Sequence, residues 1–330
     1  MNQKTKTIFS FLVCLGLSIV LLGWIFSRID LAKTWQVLKG ADPFLMTVAA
    51  LIFLSTNFII LWRWMVFIKT LGLKCSTFNC ARWFFIGLFC NLSPLTSVGG
   101  DVIKGMGLSQ ITGQKPRVFA SIVLDRLAGV TGIVITACVS FALGRSVVQS
   151  PLVFVSIALM TAVLVLLAVV LFSRRIFHWV GVAFFFWPRL KKGLMELHDD
   201  IVLMRGKQVQ GLWTIALSIA AQFVLAFEFY LTARAMHQDI NLVYFVIFSP
   251  LVCVATALPS IGGLGVREVG WVTLLSKVGV SQSVAGGLSL VNSIFVILVG
   301  LLGGLFYVVT LPGGRLQYHQ TSPGVRGSTA

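Results

Sequence analysis

Two short stretches of the chain place charged side chains directly after a proline and several glycines. They read NLSPLTSVGGDVIKGMGL at 91–108 and ALPSIGGLGVREVGW at 257–271. Proline and glycine interrupt a helix, and the next helix then begins with unpaired N–H groups whose dipole attracts an anion such as a phosphate. The pattern predicts a substrate-binding or translocation site for an anionic group. Its charged candidates are Asp101, Lys104, Arg267 and Glu268, and its candidate loop hinges are Pro94, Gly99, Gly100, Pro259, Gly262, Gly263 and Gly265.

The charged candidates also have structural explanations. Asp101 follows two glycines and could cap a helix, while Glu268 stands in a first turn, where a carboxylate is favourable. Arg267 could extend its guanidinium to the membrane interface. Asp101 and Lys104 are three residues apart and share a helix face, whereas Arg267 and Glu268 are adjacent and point in different directions. These alternatives stay open at the level of sequence.

Further ionisable residues lie within apolar segments. Asp125 and Arg126 stand in SIVLDRLAGVTGIV, about 12 Å along a predicted span at 118–142. Charges at such depth usually face the interior of a bundle and are functional, with a mutual or inter-helix ion pair as the structural alternative. Glu228 is a further candidate within a span, and its structural alternatives are local pairing towards Arg234 or a position at a helix end.

The elements that must position these residues are membrane-spanning helices. The chain of 330 residues is 57% hydrophobic and 11% charged, whereas soluble domains have about 25% charged residues. Since about 20 helical residues cross a bilayer, the apolar runs predict full spans at 8–26, 44–62, 118–142, 152–173, 212–233, 243–258 and 284–310. Shorter apolar pieces near 78–92 and 264–276 are predicted half-helices or re-entrant segments. The fold class is an all-α polytopic integral membrane protein.

The two interrupted segments also predict an internal repeat. Pro94 and Pro259 are 165 positions apart, which is half the chain. Paired Pro/Gly-interrupted segments in the two halves of a transporter point to its midplane binding site. We therefore expect the broken segments to meet at a shared polar cavity. The predicted organisation is one transmembrane bundle at 1–311, with candidate halves at 1–150 and 151–311, and a disordered tail at 312–330.

Basic residues predict the orientation of the bundle. With the N-terminus in the cytoplasm, most loop lysines and arginines fall on the cytoplasmic side. Arg63 and Arg82 stand beside tryptophans near span ends and are predicted interfacial anchors. The segment 189–205 has an apolar stripe at helical spacing and is predicted to be an interfacial or domain-packing helix. Its sequence HDD at 198–200 is expected on the solvated side.

Several function classes are disfavoured by the sequence. The formal net charge of +16 is explained by cytoplasmic loops, and no basic helix or aromatic-basic module predicts nucleic-acid binding. The six cysteines are scattered without a C-x-x-C pair, so we expect no metal site and no cofactor. No D-D-x-x-D, H-E-x-x-H or G-x-S-x-G motif is present, and we expect no enzyme.

The stretches PSIGGLGVREVG and SPLTSVGGDVIKG, together with VLDRLAG, resemble the transmembrane region of lysylphosphatidylglycerol synthases, a flippase-like membrane family. The resemblance covers essentially the whole chain. The bifunctional synthases carry a soluble aminoacyltransferase domain after the membrane part, and because we expect no such domain here, we do not expect aminoacyl-lipid synthesis. It implies a bacterial or archaeal inner-membrane protein that moves or handles polar lipids. It carries over the candidate hinges and charged residues given above for the two stretches, together with Asp125 and Arg126.

Three functions therefore compete. The favoured one is a translocase that moves or handles a polar lipid, which could be a phospholipid, a glycolipid, a polyprenyl-phosphate lipid or a hopanoid. A phosphate-bearing head group is preferred among these. The second is an accessory subunit of a lipid-modifying pathway, whose partners would include lipid-biosynthesis enzymes as well as membrane lipids. The third is a membrane enzyme that acts on a lipid-linked substrate, which would need a convergent acid/base or metal set.

Overall fold

In the computed structural model, every regular element among the described residues is helical, and the predicted all-helical fold is confirmed. The structure describes residues 39–92, 99–143, 151–173, 195–196, 198–255 and 266–310. The long elements are α1 (Pro43–Thr70), α2 (Thr77–Asn91), α3 (Gly99–Thr112), α4 (Lys115–Leu143), α5 (Pro151–Phe172), α6 (Gln208–Ala235), α7 (Leu242–Ala255), α8 (Val266–Ser276) and α9 (Gln282–Thr310). The predicted span at 8–26, the hinges Pro94, Pro259, Gly262, Gly263 and Gly265, and the tail at 312–330 lie outside the described residues.

Four of these helices, α1, α4, α6 and α9, are long and apolar enough to cross a membrane. α5 contains 22 residues and exposes apolar side chains such as Leu159 and Leu166, as a face towards lipid would. The segment at 243–258, predicted as a full span, is described as far as residue 255. Its described part, helix α7, contains 14 residues, which is about 21 Å. We call α7 and the other short helices, α2, α3 and α8, the half-helices.

Local sequence explains where several helices begin and end. Asp42 caps α1, with its carboxylate accepting the Phe44 N–H at 2.8 Å, and Ser76 caps α2 through the Asn79 N–H at 3.2 Å. The tight turns that follow the half-helices α3 and α8 contain Gly113 and Gly279, whose φ angles are +70° and +84°. Only glycine adopts that backbone conformation without strain.

The helices form two successive units with the same order of elements. α1 and α6 contain 28 residues each, and α4 and α9 contain 29 each. Between them lie two half-helices, of 15 and 14 residues in the first unit and 14 and 11 in the second. The first residues of α1 and α6, and of α2 and α7, are 165 positions apart, and those of α4 and α9 are 167 apart. We call α1–α4 the first unit and α6–α9 the second unit.

The two units have opposite orientations in the membrane. α1 packs along α6 in antiparallel fashion, because the Asp42 N–H at the start of α1 donates to the Ala235 carbonyl at the end of α6, at 2.8 Å. At the other end, Trp62 of α1 meets Trp213 of α6 with ring centroids 6.4 Å apart. Spanning helices that occupy the same place in the two units thus cross in opposite directions. This is the arrangement of an inverted repeat.

The contacts between the units follow the same symmetry. α9 lies on α2 through glycines so closely that a Cβ on Gly303 would stand within 3 Å of the Phe85 carbonyl, and one on Gly300 would overlap Leu92. The equivalent pair is α4 on α7, where the Ser140 hydroxyl donates to the Val246 carbonyl at 3.0 Å. Each unit therefore holds the half-helix of the other against its own last helix.

The amphipathic segment before α6 packs against the bundle. Ile201 and Met204 are buried in a cluster with Phe67 and Leu124, in agreement with a packing helix. The expectation that HDD at 198–200 is solvated is wrong for two of its residues, since His198 and Asp200 are 2% and 8% exposed. Asp200 is held there by Arg117, whose Nε lies 3.0 Å from its Oδ1.

Candidate functional site

The first unit contains a cluster of five charged side chains, Arg63, Asp101, Lys104, Asp125 and Arg126, which we call the first polar cluster. Its most buried contact joins Arg63 of α1 to Asp125 of α4, with 2.8 Å between Nε and Oδ1 and side chains 9% and 4% exposed. Arg63 also donates through Nη1 to the Ser218 hydroxyl of α6 at 2.9 Å. Its guanidinium fits because position 129 is a glycine, where a Cβ would come within 3.0 Å of Nη1. This pair thus ties three long helices together.

Asp101 is the second centre of the cluster. It stands in the first turn of α3 and accepts from Arg126 of α4, with 2.6 Å between Nε and Oδ2. On its own helix, Lys104 lies 3.8 Å from the other carboxylate oxygen. Asp101 is therefore more than a helix cap, because it joins a half-helix to a spanning helix.

Lys104 is 4% exposed, which is unusual for lysine. Its ammonium lies over the aromatic rings of Trp64 and Phe84, 4.0 Å and 5.5 Å from the ring centroids. Such contacts offset part of the cost of desolvating a cation. The Trp64 ring is fixed in turn by the donation of its Nε1 to the Ser121 hydroxyl at 3.1 Å.

The two half-helices of the first unit approach each other at glycines. The Gly100 N–H donates to the Asn91 amide oxygen at 3.0 Å, which satisfies one of the free donors at the start of α3. A Cβ on Gly100 would overlap the Gly87 carbonyl, and a Cβ on Gly87 would stand 2.8 Å from the Gly100 carbonyl. Glycine is required at both positions for α2 and α3 to meet.

The second unit has a polar cluster formed by Glu228, Arg267, Glu268, Asn292 and Ser293, which we call the second polar cluster. Arg267 of α8 donates through Nη2 to the Ser293 hydroxyl of α9 at 2.6 Å and to the Glu268 carboxylate at 3.3 Å. Ser293 donates to the same Glu268 oxygen at 3.0 Å. Adjacent residues on a helix are expected to point in different directions, but the side chains of Arg267 and Glu268 both contact Ser293.

Glu228 of α6 is fully buried. One carboxylate oxygen accepts from the Thr232 hydroxyl at 3.2 Å, and the other accepts from the Asn292 amide of α9 at 3.1 Å. The predicted alternative of pairing with Arg234 is wrong, because Arg234 pairs with Asp239 instead. Among the described residues, no lysine or arginine forms an ion pair with Glu228.

The two polar clusters occupy equivalent positions of the repeat. At the 165- and 167-residue offsets, Arg63 and Asp125 correspond to Glu228 and Asn292, and both pairs are in contact. At the 167-residue offset, Asp101 and Arg126 correspond to Glu268 and Ser293, and these pairs are also in contact. The contact of the Lys104 ammonium with the Trp64 ring corresponds to the contact of Trp271 with Phe229, whose ring centroids are 4.1 Å apart. Equivalent positions of the two units therefore make equivalent contacts, but the residues at these positions differ in charge.

Arg126 lies deep within a membrane-spanning helix, but its side chain is exposed. It lies eleven residues after Lys115, the first residue of α4, which is about 16 Å along the helix and close to the membrane midplane. Its side chain is nevertheless 60% exposed. A guanidinium is costly in hydrocarbon, so the space beside Arg126 must admit water or a polar group. This is where a charged ligand would meet the first polar cluster.

The candidates predicted from sequence fall into two groups. Asp101, Lys104, Asp125 and Arg126 come together in the first unit, and Glu228, Arg267 and Glu268 come together in the second. The meeting of the two broken segments concerns residues 93–98 and 256–265, which lie outside those described. Asp125 and Arg126 do not pair with each other, and the inter-helix alternative is the one observed. The residues that sequence reasoning missed are Arg63, Thr232, Asn292 and Ser293.

The assignment of Arg63 as an interfacial anchor is wrong. Its neighbours Trp62 and Trp64 and its place near the end of a span suggested the interface, but Arg63 is 7% exposed and paired with Asp125. The repeat offset is the sequence signal that could have found it, because residue 228, which is 165 positions after Arg63, is also charged and lies within a span.

With ordinary ionisation, the two clusters have opposite net charges. The first holds three cations and two carboxylates and is net +1. The second, among its described residues, holds one cation and two carboxylates and is net −1. Within the described residues, no group of three histidine, cysteine, aspartate or glutamate side chains is placed to hold a metal ion. By charge alone, the first cluster suits an anion and the second suits a cationic species.

Comparison with known proteins places the chain among membrane proteins of one family. Residues 11–304 match the model of the lysylphosphatidylglycerol synthase TM region. The chain is also 22% identical over 331 residues to the UPF0104 membrane protein PH1989 of Pyrococcus horikoshii, in an alignment that covers 92% of this chain and 95% of that protein. No solved structure matches.

Proposed function

Because the chain belongs to the lysylphosphatidylglycerol synthase transmembrane-region family, we propose that it moves a lipid with an anionic, phosphate-bearing head group across the membrane. The proposed location is the cytoplasmic membrane of a bacterium or archaeon, with the N-terminus inside. The observation that carries the proposal is Arg126, an exposed guanidinium near the midplane of a spanning helix. A lipid head group on its way between leaflets must pass this depth.

The first polar cluster has the chemistry to receive such a head group. Arg126 presents a planar fork of donors, which suits a phosphate, and Asp101 fixes its position. The net charge of +1 is neutralised by a phosphodiester monoanion, so the occupied cluster avoids an unpaired charge in a low dielectric. The lipid tails can remain in hydrocarbon, because the outer faces of the bundle expose leucine and valine side chains.

The inverted repeat supports a mechanism of alternating access. Units of opposite orientation that pack through equivalent contacts have two related arrangements of similar energy, one open to each side. The half-helices α2, α3, α7 and α8 are the short elements of the two units. They meet their neighbours both at glycines, such as Gly87 and Gly100, and through large buried side chains, such as Phe85 and Trp271. A head group bound at midplane would be released to whichever side is open.

The test uses the full-length protein in phosphatidylcholine vesicles that contain a trace of fluorescent phosphatidylglycerol. Dithionite added outside bleaches only the outer leaflet, so transbilayer movement appears as bleaching beyond one half. Wild type should bleach nearly all the label. Arg126→Ala should slow the movement about ten- to a hundredfold, because a hydrogen bond to a charged group is worth roughly 1.5–3 kcal/mol.

The matched control is Arg234→Ala, which removes an exposed arginine whose acid partner Asp239 lies outside the clusters, and it should move lipid at the wild-type rate. Equal rates for Arg126→Ala and wild type would contradict the proposed role of the first cluster. Mass spectrometry of the recovered lipid separates the other functions. A covalently altered lipid would support an enzyme, and no movement of any anionic lipid would support an accessory subunit.

A further inference from the structure

The two units differ in charge at the positions occupied by Arg63 and Asp125 in the first and by Glu228 and Asn292 in the second. In the first unit the pair is neutral by itself, because a guanidinium faces a carboxylate at 2.8 Å. In the second unit a carboxylate faces a neutral amide at 3.1 Å. The same contact between equivalent helices thus carries no net charge in one unit and a full negative charge in the other.

That negative charge is deeply buried. Glu228 is 0% exposed, and its neighbours Thr232 and Asn292 are 0% and 3% exposed. A carboxylate so far from water is expensive unless a cation or a proton neutralises it. The charge of Arg267 of α8 acts on Glu228, but its guanidinium already donates to Glu268 and Ser293.

Within the described residues, the other helices that pack on α6 bring no further cation into contact with Glu228. Arg63 of α1 and Asp125 of α4 are paired with each other near Ser218, ten positions before Glu228. α9 contributes the neutral amide of Asn292. On α7 the titratable group in this region is Cys253, which interacts with Gln222, six positions before Glu228.

On this basis, and resting on the proposed lipid translocation, we propose that Glu228 is a proton-binding site that couples lipid movement to a proton gradient. The contacts of Glu228 suit a proton better than a metal ion, because an amide N–H of Asn292 points at one of its oxygens. The Thr232 hydroxyl can accept a hydrogen bond as well as donate one, so it can partner both the carboxylate and the protonated acid.

The charges of the two clusters set the stoichiometry. A phosphodiester monoanion neutralises the first cluster, whose net charge is +1, and one proton on Glu228 neutralises the second, whose net charge is −1. The fully loaded protein therefore holds no unpaired charge in either cluster. Movement of one lipid monoanion with one proton is electroneutral, so it should respond to a pH difference and not to membrane potential.

The experiment uses full-length protein in phosphatidylcholine vesicles with a trace of fluorescent phosphatidylglycerol, and with valinomycin and equal potassium to clamp the potential at zero. One proton per lipid shifts the leaflet distribution about tenfold for one pH unit, the factor that corresponds to 1.4 kcal/mol. Wild type should show this shift, and a potassium diffusion potential without a pH difference should produce none. In Glu228→Gln, lipid that still moves should distribute equally under a pH gradient.

Two further variants keep the result interpretable. Asp239→Asn removes an exposed acid outside the clusters and should keep the wild-type response to pH. The double variant Glu228→Arg with Asn292→Asp places the residue pair of the first unit at the equivalent position of the second. It removes the proton site without leaving an unpaired charge. Under a pH gradient, this variant should distribute lipid equally between the leaflets. A readout independent of transport is the infrared band of a protonated carboxylic acid, which should be present in wild type and absent in Glu228→Gln.

The outcomes separate the two proposals. If wild type moves lipid but its distribution ignores the pH difference, or if Glu228→Gln keeps the tenfold shift, the coupling proposal is overturned and lipid translocation stands. A shift driven by a sodium gradient at equal pH would also overturn the proton proposal. If wild type moves no anionic lipid under any gradient, lipid translocation fails and coupling fails with it.

Discussion

Replacing Arg63 by leucine would remove the cation from the ion pair that joins α1, α4 and α6. The partner Asp125 is 3% exposed, so its carboxylate would be left with little access to water. Breaking a buried pair in this way costs about 3–5 kcal/mol. The charge of Lys104 also acts on Asp125 and compensates part of the loss. We therefore expect Arg63→Leu to lower the free energy of unfolding by about 3 kcal/mol, at the lower end of that range.

The double variant Arg63→Leu with Asp125→Leu should be more stable than either single variant. It removes both charges, and replacing a buried ion pair by apolar residues is often nearly neutral. Ser218, which loses the arginine as a donor, still donates to the Thr214 carbonyl at 2.8 Å. The expected cost of the double variant is about 1 kcal/mol, which leaves a coupling energy of several kcal/mol between the two positions.

The assay is unfolding of the purified protein by SDS in mixed micelles, followed by circular dichroism. Arg234→Leu is the control, because its partner Asp239 is 93% exposed and exposed pairs contribute about 0–1 kcal/mol. If Arg63→Leu and Arg234→Leu cost the same, or if the two single losses at Arg63 and Asp125 simply add in the double variant, the reasoning about a buried pair is refuted.

Two further predictions concern the half-helices. Gly100→Ala should destabilise the protein by about 1–3 kcal/mol in the same assay, because its Cβ would overlap the Gly87 carbonyl. The control is Gly211→Ala, whose Cβ meets no atom within 4 Å and which should be neutral or stabilising. Equal effects of the two substitutions would contradict the close approach of α2 and α3. Arg267→Lys should slow lipid movement and Arg267→Ala should slow it further, because lysine keeps the charge but loses the fork that joins Glu268 and Ser293. Equal rates for wild type and Arg267→Ala would exclude a role for Arg267 in transport.

Much of the fold could be predicted from sequence, because hydrocarbon imposes one requirement on every span. The apolar runs predicted the ends of α1, α4, α5, α6 and α9 to within about four residues, except the C-terminal end of α1. This helix continues to Thr70, well beyond the predicted residue 62. The interruption by proline and glycine predicted half-helices near 78–92 and 264–276. The full span predicted at 243–258 stays a prediction, because α7 is described only from Leu242 to Ala255.

The candidate site was predictable only for residues whose charge is unexpected at their depth. Asp125, Arg126 and Glu228 stand within long apolar runs, and that contrast identified them. Asn292 and Ser293 are neutral and common in membrane helices, so nothing in their immediate sequence marks them. Which residue pairs with which depends on contacts between helices far apart in sequence, such as α1 with α4. The 165-residue spacing of Pro94 and Pro259 could have identified Arg63 as a candidate, because the same offset applied to Arg63 leads to Glu228.

The central claim is that the exposed face of Arg126 lies on a polar path at the membrane midplane. It is tested most directly by labelling Arg126→Cys with a charged, membrane-impermeant thiol reagent, in a background where the six native cysteines are replaced by serine or alanine. The reference is Val163→Cys, at similar depth on α5 and 47% exposed towards lipid. We predict that the charged reagent labels position 126 and spares position 163, and that anionic lipid slows the labelling at position 126. Labelling of both positions only by a lipid-soluble reagent would contradict the claim.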